Sequence, residues 1–134
     1  MVVGLWVVWI SGAQQAASQP PAINPANFTG TVTPKATADI RTLRYHFDPG
    51  ARTNWHSHEG GQVIFVEEGH LRIQERGHGA KEFGPGDTLH TAPKVTHWHG
   101  AWPNEGLTQV ALSFGTTNWM EKVTDADYTR AAKR

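Results

Sequence analysis

At 134 residues the chain has room for one domain with its own core. Twelve basic and twelve acidic residues cancel, and no basic run appears, so nucleic acid is not an expected partner. Cysteine is absent, which excludes thiolate metal sites, cysteine nucleophiles and disulfides. Eight histidines are many for this length and favour a metal held by nitrogen and oxygen.

Residues 2–10 are apolar apart from Gly4, and small residues follow at Ser11, Gly12, Ala13 and Ser18. The run is too short to span a bilayer, so no stable membrane anchor is expected. It reads as the core of a secretory signal, although no Lys or Arg precedes it. The expectation is a signal peptide over residues 1–18 and an exported, periplasmic or secreted protein. A cytoplasmic protein is the alternative if this start is not the native one. Residues 19–27 read as a tether and 28–134 as the folded domain.

The domain is a series of short β-like runs separated by Gly, Pro and Asn. Leu43, Tyr45 and Phe47 alternate onto one face, and Asp48-Pro49-Gly50 turns. Residues 55–58 and 62–67 flank Gly60-Gly61. Glu68-Gly69 reads as a tight turn before residues 71–74. Further runs cover 88–91, 98–101 and 109–114, with a loop over 83–87. Trp98 and Trp102 are expected to pack the fold and a surface between two copies. Thr124 with Asp125 and Asp127 reads as the start of a short C-terminal helix, closed by cations from Arg130 on. Many short strands indicate an all-β sandwich or barrel.

The chemistry concentrates at His56-Ser57-His58. On extended backbone an i, i+2 pair points both imidazoles to one face. Gln62 opens the next strand, and His97 follows a turn at Pro93. Three imidazoles and one amide oxygen suit a divalent transition metal.

Written out, the segments are Gly50-x5-His56-x-His58-x3-Gln62-x6-Gly69 and Gly86-Asp87-x5-Pro93-x3-His97. In order and spacing they resemble the two motifs of the cupin superfamily. The resemblance implies a small double-stranded β-barrel (jelly roll) with a metal inside, held by His56, His58, Gln62 and His97. Cupins commonly have Glu where Gln62 stands, and a glycine after the second-motif proline where Lys94 stands. From about Asn24 to Arg130 the chain is also similar to small bacterial manganese cupins with (R)-selective hydroxynitrile lyase activity. Phe28-Thr29-Gly30-Thr31-Val32, Pro49-Gly50-Ala51-Arg52-Thr53, His97-Trp98-His99-Gly100-Ala101 and Trp119-Met120-Glu121 carry that likeness. It implies manganese, a fourth ligand that is glutamine, a cyanohydrin substrate made of an aldehyde and hydrogen cyanide, and a homodimer or higher homo-oligomer. Those enzymes carry a pocket histidine at the place of Gln109, a glutamine at Ser113 and a smaller residue at Tyr45. The pocket here is therefore expected to be narrower at Tyr45 and to lack one proton carrier.

Three neutral imidazoles and an amide leave the full charge of a divalent ion uncompensated, which favours Lewis-acid chemistry over oxygen activation. Mn is favoured by resemblance, while Fe, Co, Ni and Zn also suit such donors. His99, two residues beyond His97, is the candidate general base, and a buried structural histidine is its bland reading. Thr53 could bond a substrate oxygen or cap a turn. Gln109 could orient substrate. Leu43, Tyr45 and Ser113 are expected to line the substrate pocket, with core packing the other reading of Leu43. The competing functions are a metal-dependent dioxygenase or isomerase on a small aromatic or dicarbonyl compound, and a non-catalytic small-molecule-binding cupin.

Overall fold

The computed structural model describes residues 20, 22–37 and 39–130. They belong to two units, residues 1–38 and 39–134. In the first, Pro25–Asn27 makes one 3-10 turn, and the Asn24 side chain accepts from the Ala26 N–H at 3.0 Å. The expected signal peptide over 1–18 lies outside the described residues. Among the described residues, no helix is long and apolar enough to cross a membrane.

The second unit runs β1 (Ile40–Phe47), β2 (His56–His58), β3 (Gln62–Gly69), β4 (Leu71–Glu75), β5 (Lys81–Phe83), β6 (Thr88–Thr91), β7 (His97–Ala101), β8 (Leu107–Phe114), β9 (Thr117–Trp119) and helix α1 (Asp125–Thr129). The strands form two antiparallel sheets, in the orders β1-β8-β3-β6 and β5-β4-β7-β2-β9. Ile64 and Val66 of β3, Leu107 and Ala111 of β8, Leu71 and Ile73 of β4 and Ala101 of β7 form one buried cluster. Both sheets contribute to it, so the main core lies between them.

This corrects the expected closed β-barrel. The fold is all-β with two separate sheets, and among the described residues no strand ladder passes from one to the other. The chain changes sheet between β2 and β3 across Gly60-Gly61, where single bonds such as Gly60 N–H to Phe114 O (2.8 Å) replace a ladder. Gly61 has φ +87°, and a Cβ there would fall 2.6 Å from Thr91 O. The backbone needs glycine to turn this corner. The Glu68-Gly69 turn is also displaced. β3 continues to Gly69 through an irregularity between Val66 and Glu68, leaving His70 alone as the link to β4.

A second cluster, Trp55, Trp98, Val123 and Tyr128, packs with Met120. Trp98 is fully buried, and its indole N–H donates to Gln74 at 3.1 Å. Trp98 thus serves the fold and offers no surface to another copy, and the homodimer implied by the resemblance finds no support among the described residues. Helix α1 starts as expected: Thr124 Oγ1 accepts from the Asp127 N–H at 3.1 Å. It ends at Thr129, before the cations; Arg130 turns back to pair with Asp127. The helix is held by Tyr128, whose hydroxyl donates to Ala101 O at 2.7 Å. Tyr128→Phe is expected to cost about 1 kcal/mol by removing one buried hydrogen bond. A urea titration that leaves stability unchanged would show that this bond does not anchor the helix.

Candidate metal centre

Alternation along β7 buries His97 and His99 on one side and Trp98 on the other. β2 pairs with β7 at His56–His97, placing those rings 4.3 Å apart. One nitrogen each from His56, His97 and His99 lies within 4.8 Å of the others, and all three side chains are buried. His58 adjoins them, 5.0 Å from His56 and 5.6 Å from His97 between ring centroids.

The outer nitrogens are occupied by the frame. His56 Nδ1–H donates to Asn54 O at 2.9 Å, and His97 Nδ1–H to Val95 O at 3.0 Å. Each carbonyl belongs to the residue two positions back, so the backbone that places the ring also fixes its tautomer. His58 Nδ1 meets Thr117 Oγ1 at 3.0 Å. Burial, then the neighbouring His97, holds His56 down to about 3, and the same causes hold His58 down to about 4. Burial also lowers His97, and burial followed by the other imidazoles places His99 well below 6.5. All four are therefore neutral at pH 7, with lone pairs available.

That tautomer turns one His97 nitrogen toward the centre. A neutral His97 that donates from Nδ1 carries a lone pair on Nε2. Gln62 Oε1 stands 3.0 Å from that Nε2, and Gln62 Nε2 stands 3.1 Å from Ser113 Oγ, a hydroxyl that serves either orientation of the amide. In this orientation two buried acceptors meet and a cation between them removes the repulsion; with the amide turned, Gln62 Nε2 donates to His97 Nε2. A separation of about 3 Å is what two donors at a right angle show on an octahedral ion with bonds of about 2.1 Å. His58 Nε2 is buried and has no hydrogen-bond partner, and with Nδ1–H donating to Thr117 Oγ1 it presents a lone pair to the same occupant. The donor set fits a divalent ion.

The centre opens into a cavity of about 240 Å³. β1 supplies Arg41, Leu43, Tyr45 and Phe47 to its wall, and Thr53, Ser113 and Trp119 complete the sides around the imidazoles. Leu43, Tyr45 and Ser113 thus line this cavity. Thr53 is tied to β7: its Oγ1 accepts from the His99 N–H at 3.2 Å, and its N–H donates to His99 O at 2.9 Å. Gln109 is fully buried and does not line the cavity; its amide meets His99 Nδ1 at 3.4 Å. Sequence reasoning missed Trp119, which lies 4.8 Å from the His56 ring, and Thr117, the partner of His58. It also missed Arg41, although the step of two to Leu43 was there to be read.

Two open sheets enclosing a histidine centre and a small cavity define a metal-binding small-molecule site of the cupin type. The pattern of the cupin domain matches residues 43–111, and the chain belongs to the cupin family. It is 37% identical over 128 residues to an (R)-mandelonitrile lyase of Granulicella tundricola, covering 87% of this chain and 98% of that protein. A cupin-like protein of Thermotoga maritima matches with a TM-score of 0.68 and 39% identity, over 71% of this chain and 74% of that one. A DMSP lyase from Ruegeria pomeroyi shares the fold, with a TM-score of 0.53 and 18% identity over 73% of this chain and 49% of its own.

Proposed function

We propose that the protein is a manganese-dependent lyase that splits and forms cyanohydrins from an aldehyde and hydrogen cyanide. The observation that carries this reading is the buried cluster of neutral imidazoles beside Gln62, with no carboxylate among the donors. Likeness to an (R)-mandelonitrile lyase over nearly the whole of both chains supports the reaction class.

In this reading His56, His58, Gln62 and His97 hold the ion. When bound, it supplies Lewis-acid polarisation of a substrate oxygen and positive charge for a departing anion. The chain's own residues handle the proton. His99 is neutral and borders the cavity. With the Gln109 amide turned so that its oxygen faces Nδ1, Nδ1 carries the ring proton and Nε2 is free to accept one. His99 then takes the cyanohydrin hydroxyl proton as the carbon–carbon bond to the nitrile breaks. Burial disfavours a lasting imidazolium, so the proton passes to the leaving cyanide and gives hydrogen cyanide and aldehyde. Thr53 holds the His99 backbone in place, and Leu43, Tyr45 and Trp119 shape the space for the aldehyde substituent.

The test is benzaldehyde release from racemic mandelonitrile by Mn-loaded protein, with His56→Ala as the metal-poor control. Release well above the control is expected. Equal release from the two would end the lyase reading for this substrate.

A further inference from the structure

Among the described residues, every arginine but one meets a carboxylate. Arg44 pairs with Glu67, Arg52 with Asp125, Arg72 with Glu82, Arg76 with Glu121 and Arg130 with Asp127. Arg41 has no such partner. It sits on β1 in step with Leu43, Tyr45 and Phe47, and with them it lines the cavity of the metal centre. One arm of this exposed side chain is engaged, because Nη2 donates to Thr117 Oγ1 at 3.1 Å, and that oxygen bonds His58. The guanidinium is thus held two hydrogen bonds from a candidate metal ligand, with other N–H groups unspent.

The rest of the wall sharpens the contrast. No aspartate or glutamate lines this cavity. Its charged lining groups are Arg41 and Arg52, and Arg52 is spent on Asp125 and on the Val123 carbonyl. Leu43, Tyr45, Phe47 and Trp119 form the apolar part. Such a cavity offers an aromatic or aliphatic body a place to lie and leaves a cation at its rim. An arginine fork matches a carboxylate in shape as well as charge.

We infer that Arg41 is a specificity-determining residue and that the substrate carries a carboxylate, which Arg41 binds while the reacting carbonyl or hydroxyl sits at the imidazole centre. This deepens the lyase reading and rests on it for the identity of the reacting group; the recognition of the anion does not. Under it, mandelonitrile is a truncated stand-in for a carboxylated cyanohydrin.

The experiment is calorimetric titration of 3-carboxybenzaldehyde and of benzaldehyde, on Mn-loaded and on metal-free protein. Wild type is expected to bind the carboxylated aldehyde about tenfold more tightly in both states, the size expected of one charge-assisted hydrogen-bonded pair. Arg41→Gln should abolish that preference. Arg44→Gln, on the same strand but paired with Glu67 instead, should keep it. The metal-free arm shows whether the carboxylate is held by the protein or by the ion. A preference that is absent, that survives Arg41→Gln, or that appears only with Mn would overturn the inference. Mandelonitrile cleavage is scored separately, so failure of the lyase reading leaves this binding result legible.

Discussion

His58→Ala is expected to lose bound manganese, and His99→Ala to keep it while losing turnover. Three imidazoles, His56, His97 and His99, stand closest by their nitrogen atoms, so distance alone selects His99 as a ligand. Hydrogen bonding selects His58. Its Nδ1 is occupied by Thr117 and its buried Nε2 has nothing to meet, whereas His99 has the Gln109 amide at Nδ1 and borders the open cavity. An orphaned buried nitrogen costs stability unless an unseen partner satisfies it. Loss of a supporting partner around a metal typically weakens binding 10–100-fold, so removing a ligand itself should weaken it by about 100-fold or more. Loss of a general base typically costs about 100- to 10,000-fold in rate. Metal content after dialysis, read beside benzaldehyde release from mandelonitrile, separates the two roles. If His99→Ala is the metal-poor protein and His58→Ala retains its ion, the centre is His56, His97 and His99, and the proton needs another acceptor.

Part of this centre was written in the chain. His56 and His58 at a spacing of two, with Gln62 and His97 at fixed distances, are enough to bring four donors together, because strand geometry converts that spacing into direction. What alternation does not encode is how sheet edges end. It says that Ile64 and Val66 face a core, and this holds equally for a closed barrel and for two open sheets. Only the pairings show that the ladders stop. Strands β5 and β9 were illegible for a simpler reason. Lys81–Phe83 and Thr117–Trp119 are three residues each, too short for any period to show, and they exist because β4 and β2 offer them edges. With β9 went Thr117 and Trp119, which is why the frame around His58 and His56 could not be foreseen. Trp98 was legible only in part. Trp98 was expected to serve both the fold and a surface between copies, and it serves the fold alone because residues far along the chain, Val123 and Tyr128, return to cover it.

Gln62→Glu is expected to bind the metal more tightly and to cleave cyanohydrin about 10- to 100-fold more slowly. The oxygen that faces His97 survives the change, so a donor remains in place. Two things alter. A carboxylate cancels one of the ion's two charges, which strengthens its hold on the ion and weakens its pull on a substrate oxygen or a leaving anion. The N–H that Gln62 gives to Ser113 is lost as well, so two oxygens face each other unless the serine hydroxyl turns to donate. If charge is the cause, Ser113→Ala should leave most of the rate intact, while Gln62→Glu should slow turnover whether or not that serine is present. The measurements are metal affinity by competition with a chelator and kcat for mandelonitrile. A Gln62→Glu enzyme that holds manganese more tightly and turns over as fast as wild type would show that an uncompensated ion is not what the chemistry needs. Glutamine at this position would then be there to keep Ser113 bonded and the cavity wall in shape.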